Sequence, residues 1–363
     1  MLLNKLTFFF TTAILNMRLK RLLVYLEKTK GAVAMATVEK LTSQAWDTYY
    51  EVKNENGVIL GLHPFGARAI SLALPVDEGM RDILVGCKNL VDYKENSYYN
   101  AAIGPVAGRI AGAHFELEGS HYKTEANQKG NTLHGGFEGF DRREWSAEPF
   151  TTEKKAGVVF TLKDPDGYHG FPGNLVAKVT YTLSDDNHYS FQFEATTDKP
   201  TLFNPTNHGY YNLTGTPSNA IDEHILQINA NFVAETNDDV TTTGNKVAVA
   251  GTKFDFVRGT KIGATLLDDP FLIEANVSNA LTLTAPDGKV SLTLVTQAPA
   301  VVIYTTGQGE VGTQMNTGVM TNHGAVAIEP QGVPGTELYP QFGNITLTPE
   351  KKYSMMSTFK LTF

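Results

Sequence analysis

Hydrophobic and polar residues alternate along much of the chain after about residue 37. Lys178 to Leu183 reads KVTYTL and Tyr189 to Thr196 reads YSFQFEAT, with the turn residues SDDN after the first run. Successive side chains of a β-strand point to opposite faces of its sheet, so an alternating run that ends in turn residues predicts a strand. These two runs predict an antiparallel hairpin.

Two further hairpins are predicted in the same way. His114–Leu117 pairs with His121–Thr124 around Glu118-Gly119-Ser120, and Ala280–Thr284 pairs with Val290–Val295 around APDGK. Long stretches with the helical period are missing after residue 40, and 33 glycines and 16 prolines are scattered along the chain. The pattern predicts an all-β fold: one large, mostly antiparallel β domain of packed sheets.

The first 35 residues do not match this pattern. Leu6 to Leu15 is an apolar run, followed by the basic cluster RLKR. The run is too short to span a bilayer, which takes about 20 residues. It resembles the apolar region of a signal peptide, but there the basic residues come first. We therefore predict a non-domain extension over residues 1–35, with a poor signal peptide as the alternative, and a single domain over residues 36–363.

Composition narrows the class of protein. The 363 residues include 38 acidic and 30 basic side chains, giving a net charge of −8, and the pI is near 5.6. This charge disfavours nucleic acid or an anionic membrane as the main partner. Cys87 is the single cysteine, so no intrachain disulfide can form. We expect a cytoplasmic protein without stable membrane association.

Several kinds of active site lack their usual motifs. None of the nine histidines are spaced as H-x-H or H-x-x-x-H, so we expect no metal ion, with a site assembled from distant histidines as the alternative. There is no G-x-S-x-G elbow and no P-loop, and Cys87 has no histidine near it in sequence. We expect no cofactor.

Four polar segments remain as candidates for chemistry. His208 lies in FNPTNHGYYNLTG, where it could be a structural histidine, a metal ligand or a catalytic acid. Arg109 lies in the apolar segment IGPVAGRI, as a buried ion-pair partner or as a fork of donors for an oxygen-rich ligand. His134 precedes two glycines in NTLHGGFEGF, and Glu329 ends the apolar run AVAI, where burial would raise the pKa of an unpaired carboxyl.

Together, these segments resemble the galactose mutarotase (aldose 1-epimerase) family over about residues 37–363. GPVAGRI is similar to the family pattern G-R-x-x-N-R-I, and LHGGFEGF is similar to L-H-G-G-x-x-G-F. Next along the chain, GYHGFPGNL is similar to G-x-x-G-Y-P-G-N-L, and TNHGYYNLTG is similar to T-N-H-x-Y-F-N-L-x-G. Further on, D-H-x-F, Q-P-x-x-Q-x-Y-T and E-x-Q are similar to DDPF, TQAPAVVIYT and EPQ.

The chain departs from the family patterns at four places. Pro105 and Gly108 replace an arginine and an asparagine, so any hydrogen bonds from those two side chains are lost. Asp269 replaces a histidine, and Gly335 replaces the aspartate that usually follows the proline after E-x-Q.

The resemblance implies a galactose mutarotase-like supersandwich fold and an isomerase. An aldose 1-epimerase interconverts the α and β anomers of a free aldose by opening and closing its ring. This needs one proton removed from the C1 hydroxyl and one delivered to the ring oxygen. By resemblance, Glu329 is the base and His208 the acid, whereas Arg109, His134 and Asp268 bind ring hydroxyls, with Gln297 as a further candidate.

The expected partner is a small sugar such as galactose or glucose, bound by a monomer or a homodimer. One alternative is a maltose epimerase, since only the reducing-end ring must enter the site. A hexose-6-phosphate epimerase is disfavoured because no added arginine cluster is present for a phosphate. The alternative from another class is a non-catalytic sugar-binding protein of the same fold, which would have no need for both His208 and Glu329.

Overall fold

Antiparallel strands dominate the computed structural model, which describes residues 35–274 and 277–363. In chain order, the strands are β1 (Thr37–Ser43), β2 (Asp47–Lys53), β3 (Ile59–His63), β4 (Arg68–Val76), β5 (Gly79–Asp82), β6 (Ala102–Ile103), β7 (Arg109–Ile110), β8 (His114–Leu117), β9 (Ser120–Lys123), β10 (Thr132–Leu133), β11 (Ser146–Thr151), β12 (Lys155–Asp164), β13 (Leu175–Ser184), β14 (His188–Thr196), β15 (Thr201–Leu202), β16 (Thr206–Asn207), β17 (Gly209–Tyr211), β18 (Ile225–Ile228), β19 (Ala230–Thr236), β20 (Thr242–Ala248), β21 (Thr260–Lys261), β22 (Asp268–Ile273), β23 (Leu281–Thr284), β24 (Ser291–Thr296), β25 (Ala300–Thr305), β26 (Gln314–Met315), β27 (Gly318–Val319), β28 (Val326–Gln331), β29 (Thr346–Leu347) and β30 (Tyr353–Thr362).

Helical structure is sparse in the described residues. Helix α1 (Leu90–Glu95) begins after Asn89, whose side-chain oxygen accepts a hydrogen bond from the Asp92 backbone N–H. The 3₁₀ turns are Ala111–Ala113, Phe140–Arg142, Tyr168–Gly170, Ile221–Glu223, Gln308–Glu310 and Pro340–Phe342.

Three larger sheets form the body of the domain. Their strand orders are β1-β2-β3-β4-β5, β11-β12-β13-β14-β30-β24-β23-β18-β21 and β17-β28-β25-β22-β19-β20. The three hairpins predicted from alternation are confirmed as β8–β9, β13–β14 and β23–β24, all antiparallel. The expected large antiparallel β-sandwich is confirmed as well.

The main core lies between the nine-stranded sheet and the other two large sheets. Alternate residues of β13 and β14 are buried, as a strand with one face on the core requires. Tyr50 of β2 lies edge-on to Phe160 of β12, with ring centroids 6.4 Å apart. Tyr211 of β17 lies 5.6 Å from Phe359 of β30. Aromatic contacts of this kind join the layers.

The six-stranded sheet has two buried faces of different character. One face contributes apolar side chains to the main core, among them Phe271, Ile303 and Ile328. Alternate residues of β25 and β28 point to the opposite face of the sheet. Among them are Val302 and Glu329, which pair across the two strands and line a cleft. Strand alternation thus separates core residues from cleft residues on the same strands.

Residues Ala36–Phe363 form one compact unit. Apart from its last residue, the extension predicted at residues 1–35 lies outside the described residues. In the part of the chain that is described, no helix has the length and apolar character needed to cross a membrane.

Candidate active site

A cleft of about 300 Å³ opens on the six-stranded sheet and brings together five of the six residues predicted from the sequence. Those five are Arg109, His134, His208, Asp268 and Glu329. They come from five separate segments of the chain. The tightest cluster among them is buried: His134, His208 and Glu329 have their ligand atoms within 4.8 Å of one another.

His208 and Glu329 are direct neighbours at the bottom of the cleft. His208 Nε2 lies 3.3 Å from Glu329 Oε1, and both side chains are almost fully buried. His208 immediately precedes β17, whose Gly209 pairs with Ile328 on β28, so the sheet register places the two side chains side by side. The ring of His208 stacks on Tyr210 with centroids 4.7 Å apart. This contact holds the imidazole plane beside the carboxyl.

Burial dominates the titration of both groups. Loss of water, together with the positive charge of Arg109, lowers the pKa of His208 to about 3. Loss of water also raises the pKa of Glu329 well above its ordinary value, as does the nearby charge of Asp268, while Arg109 opposes this rise. The site therefore favours one shared proton, held as a neutral carboxyl and a neutral imidazole.

His134 is held as a hydrogen-bond donor to the cleft. Its Nδ1 accepts a hydrogen bond from the Gly108 backbone N–H at 3.2 Å, so this nitrogen carries a lone pair and not a proton. The neutral ring must then carry its proton on Nε2. Burial and the neighbouring His208 and Arg109 charges lower the pKa of His134, which agrees with a neutral imidazole.

The same hydrogen bond bears on metal binding. His134, His208 and Glu329 are close enough to be considered as a ligand set. A metal ion needs a free imidazole lone pair, but in His134 the Gly108 N–H occupies the lone pair of Nδ1 and a proton occupies Nε2. These donors suit proton transfer and hydroxyl binding better than metal coordination.

Arg109 is fixed from two sides at the wall of the cleft. Its Nε donates to Gln128 Oε1 at 2.7 Å, and its Nη2 donates to Asp268 Oδ2 at 3.3 Å. The rest of the guanidinium fork and the other carboxylate oxygen can bind hydroxyls. Asp268 is itself positioned by its backbone N–H, which donates to Asp269 Oδ2 at 3.0 Å.

Two glycines shape the wall near His134. Gly108 has φ +74°, and a Cβ there would lie 2.7 Å from Pro334 Cγ, which explains why no larger residue occupies the position of the family asparagine. Gly135 has φ +89°, and a Cβ there would overlap the Gly104 carbonyl oxygen. The segment that carries His134 therefore requires glycine after the histidine.

Gln297 does not join the other five residues. It is exposed and lies before β25, and its Oε1 accepts a hydrogen bond from the Met356 backbone N–H at 2.8 Å. It lines a separate depression with Tyr353 and Phe342. In the Q-P-x-x-Q-x-Y-T pattern the second glutamine corresponds to Val302, which does line the cleft. We therefore correct the expectation and remove Gln297 from the sugar-binding set.

Sequence reasoning missed several cleft residues. Tyr304 on β25 and Gln331 on β28 line the cleft. Each lies two residues after a cleft-facing residue of its strand, Val302 or Glu329, so strand alternation would have identified both. Gln128 and Tyr98 lie in connecting segments, where no periodicity points to them. Tyr98 lies edge-on to His134, with ring centroids 4.9 Å apart.

Comparisons with known proteins agree with this geometry. Residues 48–360 match the family model described as aldose 1-epimerase. The chain is 34% identical to an aldose 1-epimerase of Haemophilus influenzae, over 81% of this chain and 88% of that protein. It is 28% identical to a maltose epimerase of Levilactobacillus brevis, over 86% of this chain and 94% of that protein. An aldose epimerase homologue from C. elegans superposes with a TM-score of 0.80 at 26% identity, covering 86% of this chain and 98% of that one.

Proposed function

The chain belongs to the aldose 1-epimerase family, and we propose that Glu329 and His208 move the two protons of its reaction. The enzyme is an isomerase that interconverts the anomers of free aldoses. The observation that carries the residue assignment is the contact of 3.3 Å between His208 Nε2 and Glu329 Oε1 inside the cleft. Both oxygens that exchange protons are bonded to C1 of the sugar, so two neighbouring groups are what the reaction requires.

Glu329 accepts the proton of the C1 hydroxyl while His208 donates a proton to the ring oxygen. The C1–O5 bond breaks, an aldehyde forms, rotation about C1–C2 exposes its other face, and the same groups reverse the two transfers. The reactive form is the ion pair of carboxylate and imidazolium. It differs from the neutral pair by one proton moved from Glu329 to His208, so each turnover returns the pair to its starting state.

The other cleft residues hold the ring in place. His134 donates its Nε2–H to one hydroxyl, Arg109 donates to ring oxygens, and Asp268 accepts from a hydroxyl. The support is their convergence on the cleft and the fixed geometry of the Arg109 contacts to Gln128 and Asp268. Fixed donors and acceptors lower the cost of orienting the substrate.

The test is Glu329→Gln, which keeps the shape of the side chain but removes the base. We expect kcat for mutarotation of freshly dissolved α-glucose to fall by about 10² to 10⁴, while calorimetry still detects sugar binding. His208→Asn should lose a similar factor, and the double variant should lose little more than either single variant because the two groups act as a unit.

Glu337→Gln is the matched control. Glu337 is a half-buried glutamate whose carboxyl oxygens are shielded from solvent. Loss of water raises its pKa to about 7, and it is absent from the cleft lining. Its variant should keep the wild-type rate. A Glu329→Gln enzyme with the wild-type rate would overturn the assignment. If the wild type and Glu329→Gln both matched the buffer rate while sugar still bound, a non-catalytic sugar-binding protein would be the better description.

A second candidate is epimerisation of a disaccharide at its reducing end. A depression of about 350 Å³ borders the cleft and shares Thr236, Val240, Asp268 and Tyr304 with it. This space could receive a second ring, and Leu266, which also lines it, is 60% exposed. A relative named maltose epimerase is consistent with such a substrate.

Parallel assays on glucose and maltose separate the two candidates. If the outer depression binds a second ring, Leu266→Ser should raise KM for maltose several-fold and leave KM for glucose unchanged. Failure of the wild type to accelerate maltose mutarotation would leave only monosaccharide substrates.

A cytoplasmic location and a monomeric or homodimeric state stay predictions from the sequence. Cell fractionation measures the location, and light scattering of the purified enzyme measures the oligomeric state.

A further inference from the structure

Gln331 is a cleft residue to which the proposed reaction assigns no role. It ends β28, two residues after Glu329, and both residues line the cleft. Alternate residues of a strand share a face, so Gln331 extends the row begun by the proposed base, about 6.8 Å further along the strand.

The amide of Gln331 is buried without a partner. The residue is 1% exposed, and neither Nε2 nor Oε1 has a hydrogen-bond partner among the described residues. Buried amides in folded proteins are nearly always paired, because an unpaired group forfeits the hydrogen bonds it made to water. A fully unpaired amide facing a ligand cleft indicates that its partner is the ligand.

We propose that Gln331 is a specificity-determining residue that binds the C2 and C3 hydroxyls of the sugar. A primary amide offers donors and an acceptor side by side, and two adjacent hydroxyls offer a matching acceptor and donor. The inference rests on the proposed function, because Glu329 at the C1 hydroxyl sets the register of the ring. His208 stands beside Glu329 across the sheet and takes the ring oxygen, whereas Gln331 follows Glu329 along β28. We therefore assign to Gln331 the hydroxyls that follow C1 round the ring.

The glycine at position 108 strengthens this assignment. The family pattern has an asparagine there, but in this chain Pro334 fills the space that a side chain would need. Gly108, Pro334 and Gln331 line the same cleft. Gln331 therefore provides a side-chain amide in a cleft that has lost one at position 108.

The test substitutes Gln331→Met, which has a similar length but no hydrogen-bonding group. We expect KM for glucose to rise about tenfold, as the loss of two neutral hydrogen bonds predicts, and kcat to stay within about threefold. 6-Deoxyglucose, which keeps both hydroxyls, should show the same tenfold rise. 2-Deoxyglucose and 3-deoxyglucose, each already lacking one bond, should show only about a threefold rise.

Thermal melting separates a binding role from a structural one. Without sugar, Gln331→Met should melt at or above the wild-type temperature, because it removes an unpaired polar group from a buried position. A lowered melting temperature would indicate an internal partner and overturn the proposal.

Two kinetic results would also overturn the proposal. One is an unchanged KM for glucose, and the other is an equal rise for glucose, 2-deoxyglucose and 3-deoxyglucose. Either could occur while Glu329→Gln still lowers kcat by about 10² to 10⁴, so Gln331 can lose its role without affecting the acid–base assignment.

Discussion

The protonation of His208 and Glu329 is set by their burial and by their contact. Loss of water drives each group towards its neutral form, and the distance of 3.3 Å lets one proton pass between them. A pair of this kind titrates as a unit, with one macroscopic step for gaining a second proton and one for losing the last.

The pH profile of the wild-type enzyme follows from this pair. A lowered histidine pKa means that the second proton binds only in strong acid, and a raised glutamate pKa means that the last proton leaves only at higher pH. Because the pKa of His208 is lowered to about 3, kcat/KM should be nearly constant from pH 5 to neutrality. Mutarotation rates measured from about pH 4 to 9, with buffer rates subtracted, check this expectation.

An acid limb near pH 6.5 would contradict the prediction. That value is the ordinary histidine pKa, and it would mean that His208 titrates as if it were exposed to water. His121 provides the contrast, since its side chain is 77% exposed. The variant His121→Gln should leave the profile unchanged.

At the scale of elements, the segment Leu133 to Phe140 determines where His134 stands. His134 itself has φ +55°, and Gly135 passes so close to the Gly104 carbonyl that a Cβ cannot fit. The backbone, and not side-chain packing alone, therefore aims the imidazole into the cleft.

Gly135→Ala should disrupt both stability and binding. The left-handed backbone costs about 1–2 kcal/mol for a residue with a Cβ, and the overlap with Gly104 should add about 1–3 kcal/mol. Urea unfolding should show the combined loss of stability, and KM should rise because His134 moves.

Gly119→Ala is the control. Gly119 has φ +77° but nothing within 4 Å of an added Cβ, so its loss should not exceed about 2 kcal/mol. Equal losses for the two variants would contradict the close approach at Gly135.

Sequence motifs and hydrophobic alternation predicted some residues of these elements correctly and missed others. The pattern around Glu329 located the strand and its cleft-facing residue, because an apolar run followed by a carboxylate is recognisable in sequence, although β28 continues two residues further, to Gln331. Gln297 was named as a further candidate for binding the sugar, but it lies outside the cleft, and Val302 occupies the cleft-facing position where the family pattern has its second glutamine. Gln128 was missed because a loop residue that orients an arginine carries no periodic signal.

At the scale of the whole molecule, β30 lies in the middle of the nine-stranded sheet. β30 pairs with β14 on one side and β24 on the other, and it places Met355, Phe359 and Leu361 in the main core. Without β30, the strands β11–β14 and the strands β24, β23, β18 and β21 would not be joined into one sheet.

Removal of residues 353–363 should therefore abolish folding. It deletes a central strand and leaves the hydrogen-bonding edges of β14 and β24 unpaired. Circular dichroism and thermal melting of the truncated protein should show no cooperative transition. A chain that begins at Met35 is the comparison, because the domain is predicted to start at residue 36. It should melt and turn over as the full chain does. A cooperative wild-type-like melt of the shortened C-terminus would contradict the role of β30.

The sequence by itself determined the class of fold and the family, and it predicted which chemical groups carry the reaction. Strand periodicity and turn residues are local signals, and motifs several residues long preserve the identities of Arg109, His134, His208 and Glu329. These properties need no knowledge of which strands are neighbours.

Only the tertiary structure decided how those groups are arranged. It placed His208 in contact with Glu329, which is 121 positions away in sequence, and its Gly108 N–H leaves His134 with a proton to donate. It also placed Gln297 outside the cleft and left the amide of Gln331 unpaired inside it. Proton positions, burial and hydrogen-bond partners depend on contacts between distant segments, and those contacts exist only when the sheets have packed together.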